Sequence, residues 1–210
     1  MTYWEVQRIW EGSTAYIIGG GPSLSSFPWK YLKPRHTIGC NSAFLLGSEI
    51  CDICLFGDAE WFEAVNPQSG RLFCDELAEY KGRVVTCHPN LQHTDIPWLY
   101  TIPRQPRGLH TEALGWNGNT GAAAINLALI MGAATVCLLG FDLCKADDGR
   151  THWHDRKIEE PKQGVYQKWL ENYHWIERDL PLRFPKSRIV NIEGYSNVPN
   201  FPTIPLGETS

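Results

Sequence analysis

No run of about 18 apolar residues occurs in this 210-residue chain, so no membrane-spanning helix is expected. The start, Met1-Thr2-Tyr3-Trp4-Glu5, lacks a basic segment followed by an apolar one, and a secretory signal is not expected. Excess positive charge is missing too: 19 Lys and Arg stand against 23 Asp and Glu, a net charge of −4. That balance argues against a surface that coats nucleic acid, while leaving room for a local basic cleft. No internal repeat or low-complexity linker divides the sequence, and its length fits one domain over residues 1–210. Cys51-Asp52-Ile53-Cys54 is a lone CxxC with no second pair and no basic neighbour, which fits strand cysteines better than redox or zinc chemistry. Cys40, Cys54, Cys87 and Cys137 lie in or beside apolar runs, the pattern of buried free thiols in a reducing cytoplasm. The oligomeric state stays open, a homo-oligomer included.

What is present is an alternation of apolar strands and helices. The chain is 43% hydrophobic, enough for a sizeable core. Strands are predicted at 15–18, 36–40, 53–56, 83–87, 135–139 and 188–192. A packed, alanine-rich helix is predicted at 120–131. An amphipathic helix is predicted at 165–180, with Tyr166, Trp169, Leu170, Tyr173 and Ile176 at helical spacing. Apolar strands alternating with helices imply a Rossmann-like α/β fold, a mostly parallel sheet with helices on both faces. Residues 89–119, punctuated by proline and glycine, read as a loop-rich insertion over the active site, and 143–163 as a loop-rich lid. Residues 194–210 hold three prolines and are expected to wrap over the surface.

The most informative stretch is Tyr16-Ile17-Ile18-Gly19-Gly20-Gly21-Pro22-Ser23-Leu24. A strand that runs into three glycines builds a tight turn whose backbone N–H groups are open to an anion. Pro22 suits a first helical turn and Ser23 a cap. The guest read from Gly20, Gly21, Pro22 and Ser23 is a nucleotide phosphate. A second glycine-rich helix start is Trp116-Asn117-Gly118-Asn119-Thr120-Gly121, where Asn119 or Thr120 caps the helix and small residues let an anion approach its positive end. The plain alternative is that Gly121 and the alanines only let the helix lie close to the sheet.

Ligands of open parallel sheets sit beyond the carboxyl ends of the strands. Here those ends carry residues 19–23, Cys40-Asn41-Ser42, Gly57-Asp58, His88-Pro89-Asn90, Gly140-Phe141-Asp142 and Asn191, which together suggest one polar rim. Thr151-His152-Trp153-His154-Asp155 is the candidate for chemistry. A histidine near neutral pKa suits removal of a proton from an attacking hydroxyl, and Asp155 can orient either ring. His-x-His is also a metal half-site that Asp142 would complete, and an ordinary surface loop is the third reading. Asp58 and Asp142 at neighbouring strand ends raise a rival, a Mg²⁺-dependent phosphate transfer.

These motifs, in this order, resemble one superfamily. It includes the bacterial CMP-sialic acid-dependent sialyltransferases, the archaeal 6-hydroxymethylpterin diphosphokinases and the motility accessory factors, with small phage-like members the nearest. The strand-GGGPSL start, Cys40-Asn41, the Asn-Thr-Gly helix start and Leu138-Leu139-Gly140-Phe141-Asp142 are similar to the sialyltransferases' GNGPSL, RCN, TSG and GIDF segments. The resemblance implies a transferase that uses a nucleotide-activated donor and a hydroxyl-bearing acceptor. Its first form is inverting glycosyl transfer with no required cofactor. The second is Mg²⁺-dependent diphosphate transfer from ATP to a pterin-like alcohol, and the third a non-catalytic nucleotide-binding protein. Gly20, Gly21, Pro22 and Ser23 match the phosphate turn, Asn41 an asparagine at the phosphate or sugar, Thr120 and Gly121 the donor-binding helix start, and Asp142 an acid that contacts ribose or orients the site. A histidine after the GIDF strand acts as base in the sialyltransferases, and His154 or His152 occupies that region, His154 being preferred. Gly57-Asp58 replaces the family's Asn-Pro-Ser, and Cys144 stands where the sialyltransferases have a phosphate-binding tyrosine. Nucleic acid as acceptor would need a basic groove.

Overall fold

The computed structural model describes residues 3–154 and 163–209. Ten strands are found among them: β1 Thr14–Ile18, β2 His36–Cys40, β3 Ile53–Phe56, β4 Arg83–Thr86, β5 Leu99–Thr101, β6 Arg104–Gln105, β7 Leu114–Gly115, β8 Thr135–Leu139, β9 Arg188–Ile192 and β10 Thr203–Ile204. Eight form one sheet in the order β10-β9-β8-β1-β2-β3-β4-β5, and every pairing in it is parallel. The helices are α1 Ala59–Phe62, α2 Phe73–Glu79, α3 Thr120–Ile130 and α4 Val165–Arg183. This is the expected Rossmann-like α/β architecture.

Alternate side chains of each strand feed opposite faces. Ala15 and Ile17 of β1 pack in one cluster with the buried face of α3 and with Tyr173 and Ile176 of α4. Tyr16 and Ile18 face the other side, where Leu24, Phe27 and Leu32 from the β1–β2 connection cover them. Phe56 of β3 packs there against Phe62 and, through α2, Phe73 and Leu77. Strands buried on both faces read as continuous apolar runs, which is why they stand out in the sequence. Ten of the eleven residues of α3 are buried. Its alanines bring it close to the sheet, and burial all round explains its lack of an amphipathic stripe.

The chain runs outward from β1 to β5, then returns to the far side of β1 with β8. The strand order therefore reverses between β1 and β8, where an open α/β sheet leaves a crevice at the carboxyl ends. No described helix is long and apolar enough to cross a membrane.

Two expectations are refined. Residues 194–210 do not simply wrap the surface. Val198 and Phe201 are core residues, β10 extends the sheet, and Thr209 hydrogen-bonds Tyr16. Residues 89–119 are still mostly irregular, with three short strands: β5 lengthens the sheet and β6 pairs with β7. Asn126, fully buried in α3, organises the second half of that stretch. Its Oδ1 accepts from the Gly115 and His110 N–H groups at 2.9 and 3.0 Å, and its Nδ2 donates to the His110 carbonyl at 2.8 Å. α4 also runs past Leu180 to Arg183 through Pro181. A proline in the last turn forgoes one intrahelical bond and is tolerated there.

Candidate active site

A cavity of about 750 Å³ opens at the strand reversal. Strand ends β1, β2, β3 and β8, the start of α3 and the first turns of α4 wall it. Gly20, Gly21, Asn41, Asp58, Asn119, Thr120, Gly121, His152 and His154 all line it. Pro22, Ser23 and Asp142 do not, and neither do His88 and Asn191 of the expected rim. Asn191 works elsewhere: its Nδ2 donates to the Val198 and Phe201 carbonyls at 2.9 and 2.8 Å, holding the tail against β9.

The glycine turn after β1 is largely self-satisfied, which differs from an open nest of N–H groups. Gly19 donates to the Leu139 carbonyl at 2.7 Å and Gly21 to the Gly140 carbonyl at 2.9 Å. The Ser23 N–H donates to Asp142 Oδ2 at 2.8 Å, and its hydroxyl to Asp142 Oδ1 at 2.6 Å. Asp142 thus braces the turn from the β8 end. The glycines exist for close approach: a Cβ on Gly21 would lie 2.3 Å from Asp142 Oδ2, and one on Gly19 2.6 Å from the Gly140 carbonyl oxygen. Among the described residues only Gly20 of this turn keeps an N–H without a protein acceptor, proline having none.

The start of α3 is more open. Asn119 caps it, its Oδ1 accepting from the Ala122 N–H at 2.8 Å. The Thr120 and Gly121 N–H groups find no acceptor among the described residues. They stand at the positive end of an eleven-residue helix, facing the cavity. Thr120 Oγ1 donates to Asn41 Oδ1 at 3.5 Å, joining the end of β2 to the helix start. Asn41 itself is in the left-handed region, φ 51°, a conformation asparagine tolerates better than most residues. Gly121 also packs: a Cβ there would be 2.7 Å from Phe141 Cε1.

Residues 151–154 are latched onto the glycine turn. The Trp153 N–H donates to the Gly20 carbonyl and its indole Nε1–H to the Gly19 carbonyl, each at 3.1 Å. The indole also rests on Trp29, ring centroids 5.0 Å apart. Trp153 therefore sets its two neighbours over the cavity. The His152 and His154 rings stack at 5.2 Å, and His152 Nδ1 shares a 2.9 Å hydrogen bond with Thr151 Oγ1. His152 sits so near the turn that a Cβ on Gly20 would be 2.8 Å from its Cδ2. Asp155 and part of the 143–163 segment lie outside the described residues.

Asp58 opens into the cleft, and desolvation there raises its carboxyl pKa against the pull of Arg104 and His88. Beside it, Gly57 has no room for a side chain because a Cβ would be 1.9 Å from the Trp116 ring. Arg104 lies 4.0 Å over that ring, and its own burial lowers its pKa. A divalent cation held between Asp58 and Asp142 does not fit this arrangement. Both Asp142 oxygens accept hydrogen bonds from Ser23, and Asp142 is not among the residues that line the cavity with Asp58. Nor do the described residues contain a group of three or more potential metal ligands.

Trp61 and Trp116, which fall beside rim motifs in the sequence, line the cavity, and α4 adds aromatics that the sequence reading did not place there. Tyr166 and Trp169, at helical spacing in the amphipathic pattern of α4, line the cavity. The Trp169 indole donates to the Gly118 carbonyl at 2.9 Å. Their signal was an apolar stripe that starts two turns before the helix reaches the sheet.

No protein-family model and no curated protein matches the sequence. Among solved structures, the fold is similar to the sialyltransferase CstII from Campylobacter jejuni in complex with cytidine-5'-monophosphate, at 15% identity and a TM-score of 0.55, over 94% of this chain and 86% of that one. The same enzyme with a trisaccharide acceptor and CMP gives 13% identity and 0.55, over 94% and 88%. The MAf glycosyltransferase from Magnetospirillum magneticum AMB-1 gives 12% and 0.57, over 96% of this chain but 34% of that one. Identities this low establish a shared fold. The neighbours are sialyltransferases and a motility-accessory-type glycosyltransferase, two of the groups that the motif order resembles.

Proposed function

We propose that this chain is a transferase that uses a nucleotide-activated donor, and that its reaction is inverting glycosyl transfer to a hydroxyl-bearing acceptor. The observation that carries the reading is the meeting, in one cavity, of a helix start whose first N–H groups are unpaired among the described residues and a latched pair of histidines. The glycosyltransferase folds of its structural neighbours support the same class. The donor's anionic linkage lies between the Gly20 N–H and the start of α3, with Asn41 beside it. The helix end favours that charge by about 1 kcal/mol, more with direct N–H bonds.

The acceptor oxygen attacks the anomeric carbon as the bond to the nucleotide phosphate breaks. The proton passes to a histidine, His154 in preference to His152, and the negative charge leaves with the nucleotide. No covalent enzyme intermediate and no metal is needed. Asp142 acts as a positioning residue through Ser23. The seven thiols are all free, which supports work in a reducing compartment. Diphosphate transfer from ATP would need a carboxylate pair for Mg²⁺, and Asp142 is already committed to the turn.

The test is a thermal-shift screen of CMP, UDP, GDP, ADP and ATP, with and without Mg²⁺, followed by transfer assays with the matching nucleotide sugars. Binding raises the melting temperature. A metal-independent response to a sugar-carrying nucleotide, with turnover lowered about a hundredfold in His154→Ala, is expected. A nucleotide response with no turnover of any sugar donor would leave only a binding protein. A response to ATP alone that requires Mg²⁺ would favour the kinase chemistry.

A further inference from the structure

The cavity has a chemical bias. None of its described lining residues is a lysine or an arginine, whereas Asp58 and Glu60 both contribute to its wall. We propose that the corner of the cavity at the end of β3 holds the donor's sugar and selects an uncharged, hydroxyl-rich ring over one that carries a carboxylate. This rests on the donor reading and makes it more specific.

Three features support it. The first is charge. The donor already brings a negative linkage, which the helix start and Gly20 N–H offset. A second negative group would meet two carboxylates and, among the described lining residues, no lysine or arginine. Arg104 acts on Asp58 from outside the lining: it lies over the Trp116 ring, and its Nη1 donates to the Gly57 carbonyl at 3.4 Å. His88 also acts on Asp58 but lies outside the lining.

The second is chemistry. Ionised carboxylates only accept hydrogen bonds, and neighbouring sugar hydroxyls supply donors in pairs. The apolar face of a pyranose packs on an aromatic ring. The corner provides both, with Trp116 seated against the bare backbone of Gly57. Trp61, only 7% exposed, adds a donor: it lines the cavity, and its Nε1 has no acceptor among the described residues.

The third is reach. Parallel strands lie about 4.8 Å apart. Asn41 at the end of β2 is bonded to Thr120, so the end of β3 lies one strand beyond the linkage site, about the width of one sugar ring.

UDP-glucose and UDP-glucuronate differ only in a CH₂OH or a carboxylate at C6, which makes them a direct probe. Their dissociation constants are measured by isothermal titration with the full chain, Asp58→Asn and Glu60→Gln, beside UDP alone. CMP and CMP-sialic acid form the parallel pair. In the unmodified protein the glucose donor should bind about tenfold tighter than the glucuronate, or the sialyl group should weaken CMP binding by a similar factor. Asp58→Asn should shrink that gap to about threefold, chiefly by tighter binding of the acidic donor, and leave the bare nucleotide unchanged. Ligand-free melting curves show that each variant is folded. Acidic donors binding as tightly as neutral ones would overturn the inference and leave the donor reading standing. So would an Asp58→Asn effect equal on bare UDP, which would assign the corner to the ribose. Failure of every nucleotide to bind would remove both.

Discussion

The two glycine-rich helix starts look alike in sequence and differ in what they leave over. The turn after β1 closes on itself: Gly19, Gly21 and Ser23 donate to Leu139, Gly140 and Asp142. The start of α3 is capped once, by Asn119, and keeps two N–H groups unpaired among the described residues. The first builds the floor of the cavity and anchors the histidine segment through its carbonyls, which Trp153 takes. The second offers the charge. Glycine serves close packing at one and access at the other, and a motif of small residues alone does not say which.

The largest effect should come from removing the brace. Asp142→Ala leaves the Ser23 N–H and hydroxyl without their acceptors, and should cost about 2–3 kcal/mol in urea unfolding. Full stability in that variant would make Asp142 a ligand-binding group and dissolve the contrast between the two starts. Next come paired alanine substitutions. In Gly21→Ala the new Cβ meets a carboxylate at 2.3 Å and the backbone oxygen of Gly140 at 2.7 Å, neither of which can retreat, and about 2 kcal/mol should be lost. In Gly121→Ala the obstacle is the Phe141 ring edge at 2.7 Å. Alanine's helix propensity recovers up to about 1 kcal/mol, so the net loss should be smaller. The reverse ranking would mean that the first turn is the adaptable one.

Smaller still is the cap. Asn119→Ala should cost about 1 kcal/mol. Asn119→Asp separates stability from binding: it keeps the acceptor for Ala122, removes the buried and unpartnered Nδ2, and puts a negative charge at the helix start. Stability should rise by a few tenths of a kcal/mol while nucleotide affinity falls about tenfold. Unchanged affinity would take the α3 start out of the binding site.

How far these differences were legible in the sequence depends on their range. The strands were legible because burial on both faces makes them continuous apolar runs. So was the place of the cavity, since strand ends gather polar and small residues. What Asp142 does was not legible: the sequence offers a carboxylate at a strand end, and only the sheet order puts it against Ser23, 119 positions away. The latch of Trp153 and the seating of Trp116 on Gly57 are hidden for the same reason. Tyr166 and Trp169 repeat at core spacing, and periodicity cannot tell a core from an aromatic wall that continues it. Asn126 carried a signal that the sequence analysis did not use: it is the one amide in a helix otherwise free of long polar side chains, and it holds a loop.

The smallest effect returns to the corner at β3, where a carboxylate lines the cleft with no ion pair among the described residues. Desolvation, with a contribution from Glu60, raises the Asp58 carboxyl above its ordinary value of 3.8, and Arg104 and His88 only partly oppose it. A folded state that holds a proton more tightly than the unfolded chain gains from protonation. That stabilisation is complete below the unfolded value and is lost as the pH rises through the higher folded one. Above the folded value both states are ionised, and the folded state carries the poorer solvation of the charge. Asp58→Asn removes the charge and should raise the ligand-free melting temperature at pH 7 by about 1 °C, a modest gain because the group still meets solvent. The gain should shrink as the pH falls and be mostly gone below about 3.8, where protonation dominates in both states. Calorimetry at pH 7, 5 and 3.5 reads this directly. A gain of equal size at pH 3.5 would trace it to packing, and the corner would lose its claim to an uncompensated charge.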